Sequence, residues 1–413
     1  MTTRLVDAAN LLPQCERESF REFSRGLFYP LPRADQRKWA EVYLAGLLTL
    51  QGRKSIRRMA EQYPGWSADR AAQSLQQFVN QSPWDWSHIT RALADWVTSV
   101  SRPQAWVVDT AVIPKRGAHS VGVARRRIAG QSRPVNSQFA LGGFIATRSD
   151  ALPVEWQLVL EQDWTSDHER KARARIPPGS TPRPLWRNVL EACGGLGRPG
   201  IPLTLPVVTD LRCESGVDRL ISALCERGHQ FLIGATAPSR RGARPTAAGL
   251  SDPFSGPFEA LDGFAEAPAR ILARQVADHG MRTRRRTRLL AHQVRLPGAG
   301  GGSTGVVYRQ LDDGDGGEGL VRYWVTNNVH LGPNDVMALI GHLQRAKGCV
   351  RLLAEEFGMS DFEGRSFPGW HHHMALVSAA GVYSLTGAGF AARRASQDRM
   401  PAAVRTGQTS PAA

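Results

Sequence analysis

What most restricts the fold of this chain is the order of its apolar, β-branched runs between residues 105 and 235. Ala105 to Val112 (AWVVDTAV), Ser137 to Ala146 (SQFALGGFIA) and Leu152 to Leu160 (LPVEWQLVL) follow one another with only turn-rich segments between them. Short runs of this kind, bounded by turn formers, read as buried strands, and the three are expected to pair antiparallel. The pattern then changes. A helix (PLWRNVLEAC) closes at Gly194 and Gly195, and a strand (LPVVTD) ends on Asp210. A second helix runs to Arg227 with a stop at Gly228, and a further strand (QFLIGA) follows.

Strand, strand, strand, helix, strand, helix, strand is the order of an α/β, ribonuclease-H-like mixed sheet, in which the first and fourth strands lie side by side. Three leading strands without intervening helices do not fit a doubly wound nucleotide-binding sheet. Side by side, the first and fourth strands would present Asp109 and Asp210 at their ends to a common point. Carboxylate oxygens so placed hold hard divalent cations, which activate an attacking oxygen and stabilise a leaving one.

Either side of this core the pattern differs. From about residue 15 to 100 the apolar spacing is helical, with a Pro-marked start in GLFYPLPRADQRKWAEVYLAGLLTL and a stop at Ser82-Pro83. Asp85 or Ser87 is expected to cap the helix that runs on to Val100. From about 236 to 330 the sequence reads as a β-rich insertion with Gly-rich tips (GAGGGSTG and DDGDGGEG). A helix is expected from Pro333 to about Phe357, with Asn334 or Asp335 near its cap, and another from about Trp370. The expected divisions are 1–102, helical and DNA-binding; 103–236, the first part of the core; 237–330, the insertion; 331–390, the last core helices; and 391–413, a disordered tail.

Charge points to the partner. Lys and Arg number 52 against 37 Asp and Glu, giving +15 at pH 7. A chain this basic gains affinity for a polyanion by releasing its counterions. Only five of the 52 are lysines, a bias that Arg-rich codon usage produces without any ligand. No run approaches the ~18 consecutive apolar residues of a membrane helix, and the N-terminus lacks an apolar signal region. Five scattered cysteines without paired spacing argue for a reducing compartment and against a zinc site or disulfide framework. The expected localisation is cytoplasmic.

Segments spread along the chain carry a resemblance. GLFYPLPRADQRKWAEVYLAGLL, QQFVNQSPWDW, WVVDTAVIPKRGAHSVGVARR, LPVEWQLVL, PVVTD, YWVTNN and FEGRSFPGWHHHMAL resemble, in order and spacing, the DDE transposases of the insertion sequence 701 family, from about Phe23 to Leu385. The resemblance implies magnesium- (or manganese-) dependent cleavage and joining of double-stranded DNA ends at terminal inverted repeats and in a target. It further implies a homodimer on DNA and a bacterial, nucleoid-associated protein. It assigns the first two acids to Asp109 and Asp210, which would ligate the metal. It also places the loop around Pro114, Lys115 and Gly117 beside the site, so that Lys115, Arg116, Arg125, Arg365 and His371 become candidate DNA contacts.

The third acid departs from the pattern. Ungapped alignment back from GMSDFEGRSFPGWHHH puts Lys347 where the family has its glutamate. An ammonium there can neutralise two aspartates, but it cannot ligate a cation and repels one. Glu356 falls on the opposite helical face, and Glu355 lies about 12 Å further along the axis. Glu363, beyond the helix, is the remaining candidate, by folding back. Thr110, Ala111 and Val112 also stand where the family has an acid, Thr and Gly. The alternative reading is therefore a catalytically inactive, transposase-derived DNA-binding or regulatory protein. His371, His372 and His373 are adjacent, so their side chains diverge by about 100° each and cannot share one ion. Trp84 and Trp86 read as packing at a helix junction rather than as base-stacking groups.

Overall fold

Helices open the chain in the computed structural model, which describes residues 7–63, 66–128, 132–211, 215–235, 238–239, 256–260, 270–278, 281–297, 303–312 and 320–386. They are α1 (Arg17–Phe28), α2 (Ala34–Thr49), α3 (Ile56–Glu61), α4 (Ala68–Asn80) and α5 (Trp86–Val100). The Pro-marked start lies at Tyr29–Arg33, between α1 and α2, where Pro30 and Pro32 remove backbone donors and α2 follows from Ala34. Ser55 and Ser67 cap α3 and α4 by accepting from the N–H groups of Arg58 and Arg70. Asp85 is the cap of α5, its carboxylate accepting from the Ser87 N–H at 2.8 Å.

Next come β1 (Ala105–Pro114), β2 (Ala124–Arg126), β3 (Val135–Ala146) and β4 (Ala151–Leu158), then the short helices α6 (Gln162–Thr165) and α7 (His168–Arg173). The core continues through α8 (Leu185–Ala192), β5 (Val207–Asp210), α9 (Val217–Glu226) and β6 (Phe231–Ala235). Gly228 ends the α9 connection with φ +70°, a left-handed conformation that glycine adopts without steric cost. β3 pairs antiparallel with both β1 and β4, whereas β5 pairs parallel with β1 and β6. The first strand and the strand carrying Asp210 therefore lie side by side, as the order of runs demanded.

The inserted segment adds β7 (Pro238–Ser239), β8 (Gly256–Ala260), β9 (Arg270–Asp278), β10 (Met281–Arg295), β11 (Thr304–Asp312) and β12 (Leu320–Thr326). β12 pairs antiparallel with β6, so the insertion extends the core sheet. Among the described residues one mixed sheet of twelve strands results, in the order β2-β3-β1-β5-β6-β12-β11-β10-β8-β7, with β4 on β3 and β9 on β10. Most of the Gly-rich tips, 298–302 and 313–319, and the 391–413 tail fall outside the described residues.

Two helices close the core, α10 (Pro333–Glu356) and α11 (Phe367–Leu385). At the start of α10 it is Asp335 that reaches back, accepting from the Gly332 N–H at 2.9 Å. α11 begins three residues earlier than its sequence suggests, because the Ser366 hydroxyl accepts from Gly369 N–H. Nearly every residue of α11 from Gly369 to Ser384 is buried, as expected of a helix without a polar face. It packs on β4 and α10 and on α2, α4 and α5, joining the N-terminal helices to the sheet. No described helix is long and apolar enough to cross a membrane.

Candidate active site

Asp109 stands fifth of the ten residues of β1, not at its end. β1 runs on to Pro114 because β3 keeps pairing with it as far as Ser137. Its parallel pairing with β5 aligns Trp106 with Val207 and Val107 with Val208. Continuing that register sets Asp109 beside Asp210, the last residue of β5. Asp109 is buried, at 6% exposure. Its cross-strand neighbour on β3 is Gly142.

Gly234 on β6 lies opposite Asp210. A Cβ at position 234 would stand 2.5 Å from the Asp210 Oδ1 and 3.2 Å from its Cα, so a glycine there makes room for the carboxylate. An isolated glycine within a strand is the sequence signal for such close approach, and QFLIGA displays it. The sequence reading did not single it out.

Lys347 completes the cluster. The inward stripe of α10 is Val336, Leu339, Ile340, Leu343, Ala346, Cys349 and Leu353, and the helix packs across β1 and β5. Lys347 flanks the stripe and reaches the acids, its Nζ 3.8 Å from the Asp210 Oδ2. Burial pushes the Asp109 carboxyl up to about 6, the Lys347 ammonium and the Thr110 N–H oppose that shift, and the Asp210 charge adds to it. Asp109, Asp210 and Lys347 thus form one electrostatic unit.

The other acids considered are held elsewhere. Glu355 and Glu356 are exposed in the last turn of α10, about 12 to 14 Å along the axis from Lys347. Glu363 does not fold back. It pairs with Arg53 and acts electrostatically on Lys115, which lies six residues, roughly 20 Å, along β1 from Asp109. Among the described residues no cluster of three or more His, Cys, Asp or Glu side chains could hold a metal ion. As oxygen donors at negative charge, the two aspartates fit a hard divalent cation. Lys347 brings a positive charge to the same cluster.

Lys115 is a tether in this structure. Its Nζ donates to the carbonyls of Ser360 and Phe362 at 2.9 and 3.0 Å. Burial pushes its pKa down to about 8, against the pull of Asp361 and Glu363. Asp361 in turn accepts from the Lys54 N–H at 2.7 Å. Arg116, Arg125 and Arg365 are exposed.

His371 is placed differently from the sequence expectation of a DNA contact. It is 5% exposed, stacks on Trp86 at 4.6 Å between ring centroids and shares its Nδ1 with the Phe367 carbonyl. Burial pushes its pKa down to about 4, so the ring is neutral and walled off from solvent. The three histidines diverge as their spacing requires. His372 stacks on Trp84 at 3.8 Å and faces the Val79 and Trp84 carbonyls. His373 meets the Tyr43 hydroxyl through Nδ1 and the Gly358 carbonyl through Nε2. Together they fasten α11 to α2, α4, α5 and the loop after α10. Trp84, buried and donating to the Phe78 carbonyl, is packing.

A model of the DDE superfamily endonucleases matches residues 26–256, over half of the chain. The chain belongs to this family. Both aspartates fall within the segment that the family model matches, and Lys347 lies beyond it. Among solved structures, a cryo-EM structure of a piggyBac transposase synaptic complex with hairpin DNA is similar at 8% identity, with a TM-score of 0.38. The match covers 95% of this chain and 76% of that one. No curated protein sequence matches.

Proposed function

We propose that this DDE superfamily endonuclease is a transposase of the insertion sequence 701 type, with a ribonuclease-H-like core and an N-terminal helical region that grips DNA. The observation that carries the reading is the carboxylate pair, Asp109 and Asp210, set side by side on β1 and β5 of a chain whose family acts as endonucleases. The substrate is double-stranded DNA, cut at terminal inverted repeats and joined to a target by a homodimer in the bacterial cytoplasm.

Asp109 and Asp210 would hold Mg2+ or Mn2+, which when bound supplies Lewis-acid activation of the attacking oxygen and stabilises the leaving one. The chain's own residues set the stage. The Thr110 N–H holds the Asp109 carboxylate, and Gly234 leaves space for that of Asp210. Lys115 fixes the loop at the far end of β1. Exposed Arg116, Arg125 and Arg365 hold backbone phosphates, which orients the duplex without reading its sequence.

One observation favours a second reading, a DNA-binding protein that no longer cuts. It is the ammonium of Lys347, 3.8 Å from the Asp210 carboxylate. The deciding experiment incubates the protein with Mg2+ and a DNA end from its own flanking repeats, beside an Asp109→Ala control. Cleavage lost in the control supports the transposase. A mobility shift without cleavage, identical in both proteins, overturns it in favour of the second reading.

A further inference from the structure

At the free edge of β4, away from the carboxylate pair, lies a cavity of about 420 Å³, a size typical of small-molecule and cofactor sites. Trp86, Thr90 and Arg91 of α5 form one wall; Glu155 and Trp156 of β4 and Arg198 form the other. Three features distinguish it from an ordinary crevice. The Glu155 Oε2 is buried and accepts no hydrogen bond, although the Arg198 Nη1 forms an ion pair with it at 3.7 Å and the side chain as a whole is 30% exposed. The oxygen therefore has an opposite charge nearby but keeps its capacity to accept a hydrogen bond. Trp86 rests on His371, which locks its indole where it lines the cavity. Two guanidiniums stand against one carboxylate.

That chemistry selects a ligand. A simple cation is opposed by Arg91 and Arg198, and a bare phosphate is opposed by Glu155. A ligand that satisfies all three groups carries N–H donors for the carboxylate, a negative group for the guanidiniums and a flat face for the indole. A guanine nucleotide does so, because the guanine Watson–Crick edge offers two adjacent donors, N1–H and the N2 amine. Adenine, cytosine and thymine each lack two adjacent donors along that edge. In DNA the edge is free only when the base is unpaired. Trp156 is paired across the sheet with Gly142, and Gly142 with Asp109. The strand lining the cavity is therefore two strand spacings, about 10 Å, from the one that carries the first acid, within the width of a bound duplex.

We propose that this cavity is a binding site for an unpaired guanine nucleotide of the DNA substrate, with Glu155 accepting from the base edge, Trp86 stacking on the base and Arg91 and Arg198 holding the phosphate. The proposal rests on the DNA-directed reading above.

The test uses the full chain and three probes: GMP, AMP and oligonucleotide duplexes with or without one extrahelical guanine. Quenching of indole fluorescence reports nucleotide binding, and mobility shift reports the duplexes. GMP is expected to bind at least tenfold more tightly than AMP, and the duplex with the extrahelical guanine to outcompete the fully paired one. The near-isosteric Glu155→Gln is expected to remove both preferences, with circular dichroism showing that the variant is folded. Arg91→Ala, at an exposed position, is expected to weaken GMP binding without altering the melting temperature. Equal or absent binding of GMP and AMP, or a preference that survives Glu155→Gln, overturns the proposal. A GMP preference with no preference for the extrahelical guanine also overturns it, since the ligand is then a free nucleotide. If paired duplex fails to bind the wild-type chain at all, it is the DNA-directed reading that has failed.

Discussion

Replacing Lys347 tests most directly whether this site is built for a metal ion or closed to one. The ammonium lies 3.8 Å from the Asp210 carboxylate. At that separation the attraction between unit charges is about 4 kcal/mol for an effective dielectric of 20. The Lys347 side chain is 39% exposed, and solvent screening brings this down to about 1 kcal/mol. A divalent cation between the two carboxylates meets the same ammonium with opposite sign and twice the charge. Removing it therefore lifts roughly 1 to 2 kcal/mol of opposition, a gain of about 5- to 30-fold in cation affinity. Lys347→Met is expected to show that gain, and Lys347→Glu a larger one, because it also adds an oxygen ligand. Calorimetric titration of Mn2+ into wild type and both variants measures it, with Asp109→Asn as the control that loses the site. The difference should shrink as salt rises, since the lysine is partly in solvent. Equal affinities in all three proteins, or weaker binding by Lys347→Glu, would refute the placement of Lys347 as the opposing charge.

Other substitutions probe the surroundings. Asp109 has a folded pKa of about 6, raised from 3.8, so the folded chain holds the extra proton between those values. Stability is lost as pH rises through that window, by about 3 kcal/mol when complete. In chelator at pH 7.5, Asp109→Asn is expected to melt higher than wild type, and the gap should close as pH falls toward 4. A gap that is constant with pH contradicts the assignment. Gly234→Ala forces a methyl to within 2.5 Å of the Asp210 Oδ1; urea unfolding should register a loss of about 1 to 3 kcal/mol, and the Mn2+ titration a weakened site. Trp84→Ala removes a ring that is 3% exposed and stacked on both His372 and Phe78. Its expected cost is about 3 to 5 kcal/mol in urea unfolding, and a loss under 1 kcal/mol would contradict its role in fastening α11.

Much of this architecture is legible in the residues. β-branched runs and their order point to three antiparallel strands followed by a parallel pair, since each pattern is local. Asp109 and Asp210 could be named from that order, whereas Lys347 was singled out only by what the family resemblance implies for its position. Local capping was readable only as alternatives, Asp85 or Ser87 and Asn334 or Asp335, because either residue type can cap and neighbouring backbone decides.

Tertiary structure decided the rest. Glu363 could reach the aspartates on paper, yet it is drawn to Arg53 and Lys115, charges that lie distant in sequence. His371 stands in a conspicuous motif, but its environment comes from Trp86 on another helix, so burial rather than residue type sets its charge. Gly234 matters only because β6 lies against Asp210. The Glu155 cavity needs a strand edge, a helix and a loop at once. What the sequence determined by itself was which side chains are present and which elements they ride on. The fold decided which charges meet, because burial and distance, and with them pKa and ligand choice, belong to neighbours that no local pattern specifies.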